Sequence, residues 1–527
     1  VSYQFKEGMI MIQNNISDSQ KPPSQRLKRL GWVLSSLVTL ALVVWTVGWI
    51  TLTGVNAQSQ FSKISQSLGD YKTRIANDII VVMKEQADLT PARDLKTKDE
   101  KGTFVYEALT KTALQTQQDL LALLDGKFKY KSFYVSNMVS IRAATPELID
   151  LLAARNDVAR IIPNPVVRVL GQPLIIQEEA PKAVGDNVMF VKANQVWETF
   201  KATGQGIVVS GQDTGIEWDH PALIKKYRGY NGGAVQHDYN WHDAIHAGSS
   251  TGNICGYDSK EPCDDNAHGT HTIGTVVGDD GMGRQIGVAP GSQFVGCRNM
   301  DAGNGRPETY IECFEWFLAP YPYGGNPKTD GDPKKSPHVM NNSWGCPPSE
   351  GCDGTEMIPV LQSLQMAGIM VVASAGNEGP ACSTIDDQPA MHSATTFSVG
   401  AYDHRKSVIA GFSSRGPSKF DGMIGPDVVA PGVSILSAIP GKAYSGAGWS
   451  GTSMAGPHVV GAVALLWSAV PSLIGDIAGT IDIFEKSATP MKSTQTCGGV
   501  SGTLVPNNTF GYGVIDVFAA VKKAKGL

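Results

Sequence analysis

Five short, almost uninterrupted apolar runs recur between residues 206 and 402. They are GIVVSGQDTGI (206–216), QFVGCRN (293–299), HVMNNSW (338–344), IMVVASAGN (369–377) and FSVGAY (397–402). A strand that is apolar on both sides must be covered on both sides. Helical segments at 270–277, 310–318 and 357–367 fall between several of these runs. The pattern predicts an α/β body, a parallel sheet with helices on both faces. In such sheets sites form at the carboxyl ends of the strands.

A different pattern precedes it. A strand at 78–86, a helix at 103–126, two strands within 129–143 hinged at Asn137, a helix at 145–155 and a strand at 158–170 give the order β-α-β-β-α-β. That order is the one of a small ferredoxin-like α+β unit. It contains no cysteine and no cluster of catalytic residue types, so it reads as a folding, inhibitory or binding module. The chain of 527 residues accommodates both parts. The expected organisation is a leader with a signal peptide or membrane anchor over 1–57, a linker over 58–76 and the ferredoxin-like domain over 77–170. A second linker with a maturation site spans 171–194, and the α/β domain spans 195–527.

The leader carries Arg26, Lys28 and Arg29 ahead of an uncharged stretch, 32–52, which ends near the small-x-small triplet Val55-Asn56-Ala57. The run is long for a signal peptide and about long enough to span a bilayer. The cleaved signal is the favoured reading, with a membrane role only if 32–52 is retained. Either way the flanking positive charges place the rest of the chain outside. Eight cysteines, all beyond residue 250, suit disulfides in an exported domain. Spacing alone leaves 105 pairings open. Cys255–Cys263 and Cys346–Cys352 are expected as near neighbours, and Cys382–Cys497 more weakly. A net charge of −5 offers no basic footprint, which excludes nucleic acid as a partner.

Three stretches carry reactive side chains at element ends. Asp213 follows the first apolar run in GQDTGI, His268 opens a small-residue helix in DDNAHGTHTIGTVVG, and Ser453 sits in WSGTSMAGPH at the start of an apolar helix. Each has an ordinary reading: a turn aspartate, a core histidine, an N-cap serine. An aspartic protease needs a second Asp-Thr-Gly or Asp-Ser-Gly, and none follows. His268 and His271 lack the Glu of a His-Glu-x-x-His zinc motif, so no metal is assigned. Together the three residue types supply a nucleophile, a base to take its proton and a carboxylate to orient the base.

SGTSMAGPH, HGTHTIGT and DTGI resemble the three signature blocks of the subtilisin-like serine proteases, in the same Asp, His, Ser order, over about 195–525. The resemblance implies that Asp213 orients the imidazole, His268 is general base and acid, and Ser453 is the nucleophile. ASAGNEGP resembles the family's oxyanion block, which makes Asn377 a donor alongside the Ser453 backbone N–H. NNSWG resembles the strand that pairs with substrate, through Ser343, Trp344 and Gly345, and DAGNGR the facing edge, Gly303 to Gly305. Ala373, Ala375 and Gly376 would line the primary specificity pocket, with Glu378 near its base. Contacts mostly to main chain imply protein and peptide substrates of broad specificity. The ferredoxin-like unit resembles the family's inhibitor I9-type propeptide, an intramolecular inhibitor. EWDHPALIKKYRGY and CFEWFLAP resemble bacillopeptidase F-like members. The family requires no cofactor, and its structural calcium sites are not recognisable here by motif. Asp258, Asp264 and Asp265 read as a solvated acidic loop. That loop (254–266) and PYPYGGNPKTDGDPKKSP (320–337) read as insertions at the active-site rim. The alternative is a catalytically silent surface-binding protein on the same fold.

Overall fold

The computed structural model describes residues 63–168, 175–180, 182–248 and 250–527. The expected leader, the 32–52 stretch and part of each linker lie outside the described residues. Among the described residues no helix is long and apolar enough to cross a membrane.

The N-terminal unit is built from β1 (Asn77–Met83), α1 (Lys98–Thr116), α2 (Gln118–Leu124), β2 (Lys129–Phe133), β3 (Met138–Ala144), α3 (Pro146–Ala154) and β4 (Val158–Pro163). The strands form one antiparallel sheet in the order β2-β3-β1-β4. Alternation along β1 separates two faces. Ile79 and Val81 join Val139, Ile141 and Ile161 under α2 and α3, whereas Ile80 faces the other way with Met138 and Ile162.

The single helix expected at 103–126 is two. It begins earlier, because Thr97 and Glu100 close a reciprocal capping box on the first turn. It breaks at Gln117, whose buried amide donates to the Phe133 carbonyl (3.0 Å) and Asn137 Oδ1 (2.8 Å) rather than facing solvent. The two parts separate in space: α2 completes the unit's own core, while α1 packs with the second face of the sheet against the body.

The body follows a short strand, β5 (Val167–Arg168), and two helices, α4 (Asp186–Phe190) and α5 (Ala193–Phe200). Its sheet is built from β6 (Val208–Asp213), β7 (Trp241–Asp243), β8 (Gln293–Arg298), β10 (Val339–Asn342), β11 (Met370–Ser374), β12 (Phe397–Asp403), β13 (Val408–Ile409) and β14 (Val428–Pro431). The order is β13-β12-β11-β10-β6-β8-β7, with β14 paired to β12, and every pairing is parallel except that of β13. Helices α6 (His268–Val277) and α9 (Thr452–Ala469) cover one face, in a core with Val339, Val372 and Phe397. Helices α7 (Pro307–Leu318) and α8 (Ile358–Met366) cover the other, in a core with Val295, Met340 and Val371. The α/β architecture with helices on both faces is therefore as expected. The chain runs β6 to β8 on one side and returns to β10 on the other. The switch point thus lies between β6 and β10.

The second face of the N-terminal sheet is continuous with the α7–α8 core through Phe133, Tyr134 and Val135. Polar contacts fix the docking. Glu315 of α7 accepts the backbone N–H of Tyr134 (2.5 Å) and Val135 (3.0 Å), and Ser363 donates to the Val135 carbonyl (2.8 Å). Arg142 bridges Asp78 (2.9 Å) and Glu308, and Arg160 meets Asp353 (2.9 Å). The 320–337 segment bears on this unit too: Tyr106 donates to the Pro327 carbonyl (3.0 Å) and Lys328 to Ser132 Oγ (2.5 Å).

Four disulfides form: Cys255–Cys263, Cys346–Cys352 and Cys382–Cys497, as expected, and Cys297–Cys313, which had not been assigned. The last joins β8 to α7. Cys346, Cys352 and Glu356 converge as three metal-ligand types, but both sulfurs are spent in a disulfide.

Candidate active site

Asp213 is the last residue of β6 and is almost wholly buried. The backbone N–H of Thr214 donates to its Oδ1 at 2.8 Å, and both carboxylate oxygens face His268 Nδ1, at 2.8 and 2.9 Å. The chain then turns through Gly215 at φ +116°, where a Cβ would overlap the Cys263 carbonyl oxygen. A Cβ on Gly269 would likewise overlap the Gly215 carbonyl. Two glycines therefore let the helix carrying His268 approach the strand end carrying Asp213.

Asp264 pins this junction, which corrects the expectation of a solvated acidic loop. It is buried, and its Oδ1 accepts from Thr214 Oγ1 (2.8 Å) and the N–H of Asn266 (3.0 Å) and Ala267 (2.8 Å). Its Oδ2 accepts from the N–H (2.9 Å) and hydroxyl (2.6 Å) of Thr270. The carboxylate thus satisfies free N–H groups at the start of α6 and ties the Asp213 turn to it. Asp265 is buried against Arg298, at 3.0 Å, and burial pushes its carboxyl up to about 7. Of the three aspartates only Asp258 is exposed.

The other ring nitrogen of His268, Nε2, is buried and has no hydrogen-bond partner among the described residues. Trp449 lies 6.4 Å from its ring and stacks on His271 at 4.1 Å. His271 points elsewhere, its Nε2 bonded to the carbonyls of Ile435 (2.9 Å) and Ser445 (3.1 Å). Burial, reinforced by His268, pulls its pKa down to about 3, so it is neutral and packed. The two histidines do not converge on a shared ligand position.

Ser453 is the second residue of α9, and its hydroxyl donates to the Ser343 carbonyl at 3.3 Å. Gly456 brings this helix onto the strand ends: a Cβ there would lie 3.2 Å from Ser374 Oγ and 3.3 Å from Asn341 Oδ1. Thr452 completes the junction. Its carbonyl accepts from Ser374 Oγ (2.9 Å), while its N–H (2.9 Å) and hydroxyl (3.1 Å) donate to Asn377 Oδ1. With its oxygen engaged, the Asn377 amide keeps its Nδ2 donors free among the described residues, at the exposed end of the strand carrying Ser374.

The segments assigned to substrate divide into two groups. Ser343 turns its side chain inward to Asn341 (2.9 Å) and Ser374 (3.2 Å), and Trp344 is buried, stacked on Tyr310 at 3.9 Å. Ala373 and Ala375 are buried with Ile385, Ala390 and Met391, while Glu378 is exposed and accepts from Ser414 Oγ at 2.9 Å. These residues, with Gly345 and Gly376, gather at the carboxyl ends of β10 and β11. The facing edge is β9 (Asn304–Gly305), flanked by Gly303, and it is already paired: Val167 and Arg168 of β5 add to it antiparallel, Val167 opposite Gly305. Sequence reasoning missed Asp264, Thr214 and Trp449, which position the site.

The subtilase family model matches residues 204–513. The chain belongs to the subtilase family. This subtilase is 33% identical over 505 residues to bacillopeptidase F of Bacillus subtilis, covering 88% of this chain and 33% of that protein. The chain therefore spans about a third of that relative's length. It is 31% identical over 294 residues to subtilisin of Bacillus pumilus, covering 55% of this chain and 87% of the relative. It is 31% identical over 289 residues to subtilisin E of Bacillus subtilis, covering 54% and 61% respectively.

Proposed function

We propose that this subtilase is an exported serine endopeptidase made as a zymogen, hydrolysing peptide bonds through Asp213, His268 and Ser453. One observation carries the reading. Both oxygens of a buried Asp213 hold His268 by Nδ1, leaving Nε2 unpaired beside the helix that presents Ser453. A neutral imidazole held in this way has a basic Nε2 with one task left. It takes the Ser453 proton as Oγ attacks a substrate carbonyl and returns that proton to the leaving amine. Asp213 stabilises the imidazolium between those steps. Asn377 Nδ2 and the Ser453 N–H supply donors for the oxyanion. A covalent acyl-enzyme at Ser453 is then released by water.

Protein and peptide substrates would lie extended between Ser343–Gly345 and Gly303–Gly305, held mainly by backbone hydrogen bonds, which favours broad specificity. The pairing of Val167–Arg168 with that edge supports the inhibitory role of the N-terminal unit. The segment that follows this unit lies where a substrate strand would add. Maturation would cut within about 165–190, freeing the body from residues 77–170. The disulfides suit a location outside the cytoplasm, reached by the 1–57 signal or anchor.

A fluorophosphonate probe, which reacts only with an activated serine, tests the chemistry. Labelling of Ser453 is expected in wild type, with none in Ser453→Ala and a rate at least ~10²-fold lower in His268→Ala. An unlabelled wild type would support the silent binding-protein reading instead.

A further inference from the structure

One carboxylate near the site has no work in the chemistry above. Asp387 lies in the loop beyond β11, between Ile385 and Ala390 in sequence, two members of the small apolar cluster with Ala373, Ala375 and Met391. Its Oδ1 is sealed from solvent and has no hydrogen-bond partner among the described residues. Its neighbour Asp386 is paired with Lys419 at 3.2 Å, whereas among the described residues no lysine, arginine or histidine bridges Asp387. Burial, then the negative charges of Glu378, Asp386 and Glu350, push its carboxyl up to about 8. Leaving a buried acceptor unpaired is unfavourable, and three like charges around it add to the penalty.

The position of this carboxylate is specific. It lies flat against Gly345: a Cβ on that residue would stand 2.6 Å from Asp387 Cγ and 2.7 and 2.8 Å from its oxygens. Gly345 belongs to the strand assigned to substrate, and Ala373 and Ala375 belong to the wall assigned to the pocket beside Ser453. The unpaired acid therefore lies against one of the two segments that would enclose a substrate side chain, in the loop that follows the other, within electrostatic reach of Glu378.

We propose that Asp387 is the specificity determinant of this pocket and that it selects lysine or arginine at P1, the residue immediately before the scissile bond. The proposal rests on the endopeptidase reading and narrows its broad specificity at one position. A long cationic side chain entering beside Gly376 and Glu378, the accessible part of that wall, brings to Asp387 the partner it lacks among the described residues. Glu378 adds a second, solvent-screened attraction at the mouth. An apolar P1 residue would bury the carboxylate without a partner, which sites of this kind discriminate against strongly.

The test is a series of peptide anilides identical except for Lys, Arg, Leu or Phe at P1. Wild type is expected to favour Lys and Arg in kcat/KM by about 10²-fold. Asp387→Asn removes the acid that a cation could ionise, at nearly constant shape, and should collapse that ratio by at least tenfold. Glu378→Gln should lower it by only a few fold. A wild type that prefers Leu or Phe, or an Asp387→Asn that keeps the cationic preference, would overturn the proposal. Calorimetry with benzamidine, a P1 arginine mimic, needs no turnover. Saturable binding to wild type, weakened at least tenfold in Asp387→Asn, is expected, and no binding to wild type counts against the pocket. The two readings can fail separately. Casein cleavage without P1 preference removes the pocket alone, whereas benzamidine binding without any cleavage removes the endopeptidase reading alone.

Discussion

The N-terminal unit and the body are folded by the same force but built to different tolerances. Over residues 63–168 there is neither a cysteine nor a histidine. The unit is a four-stranded sheet whose two faces bury Ile, Val and Leu, one under its own helices and one on the body. Apolar substitutions that keep volume and alternation are expected to be tolerated in those two faces. The body holds all ten histidines and four disulfides, and its helices approach its strands over glycines where a single methyl group would collide. Such packing is what holds the Asp213–His268 pair and the start of the helix carrying Ser453 in fixed positions. A region that only has to dock can be approximate, whereas a region that has to react cannot.

That contrast can be broken in three places. The largest effect is expected at Asn377. Asn377→Ala should cut kcat by about 10²–10³, the magnitude established for the corresponding donor of subtilisin, with little change in KM. Steady-state kinetics that show only a KM effect would remove Asn377 from the oxyanion role. A smaller effect is expected where the two regions meet. Glu315 gives one carboxylate to two backbone N–H groups of the N-terminal unit. Burial pushes its carboxyl up to about 7, so above that pH Glu315→Gln should weaken inhibition by the unit about tenfold, since hydrogen bonds to a charged group contribute roughly 1.5–3 kcal/mol. Inhibition constants measured with the unit added back would show it, and an unchanged constant would mean that the apolar contact alone holds the unit.

The smallest effect is in acid. Burial holds His271, His338 and His458 each down to a pKa of about 3, against about 6.5 in an unfolded chain. Between those values the unfolded chain binds protons that the folded body refuses. These groups therefore contribute stability above about pH 6.5 that is lost as pH falls toward 3. Asp265 and Asp427, pushed up to about 7 and about 6, act in the opposite sense over part of that range, so a difference is the useful quantity. His338→Asn keeps an acceptor for the Val208 N–H, which His338 Nδ1 takes at 3.0 Å. It should flatten the fall in unfolding free energy from pH 6.5 to 4 relative to wild type, by at most about 1.4 kcal/mol per pH unit. Parallel curves would show that His338 is protonated in the folded body. Hydrogen exchange should place this acid sensitivity in the body, because the N-terminal unit has no histidine to contribute.

Legibility in the sequence follows the same division. The apolar runs announced β6, β8, β10, β11 and β12 to within a few residues, because a strand buried on both faces has few other readings. The helix at 98–124 was blurred for two local reasons. Its cap at Thr97 precedes the apolar pattern, and its break at Gln117 comes from a buried amide bonded to residues 16 and 20 positions away. The acidic run Asp264-Asp265 was misread because acidity along a loop resembles solvation. The signal that could have corrected it was its place just ahead of a helix, where a carboxylate finds free N–H groups. The Cys297–Cys313 bridge spans 16 residues from a strand to a helix and has no local signature. Asp387 was invisible for a plainer reason: it has no motif, and only the approach of Gly345 gives it meaning.

The role proposed for Ser453 is to cut the chain free of its own N-terminal unit and then to cut other proteins. The direct test is to purify the full chain beside Ser453→Ala and to record the intact mass and casein hydrolysis of both. Wild type is expected to lose the N-terminal unit at a cut within about 165–190 and to digest casein. Ser453→Ala should keep the unit attached and digest nothing. If both proteins are processed alike and neither cleaves casein, Ser453 is not a nucleophile, and the geometry around His268 serves a purpose other than catalysis.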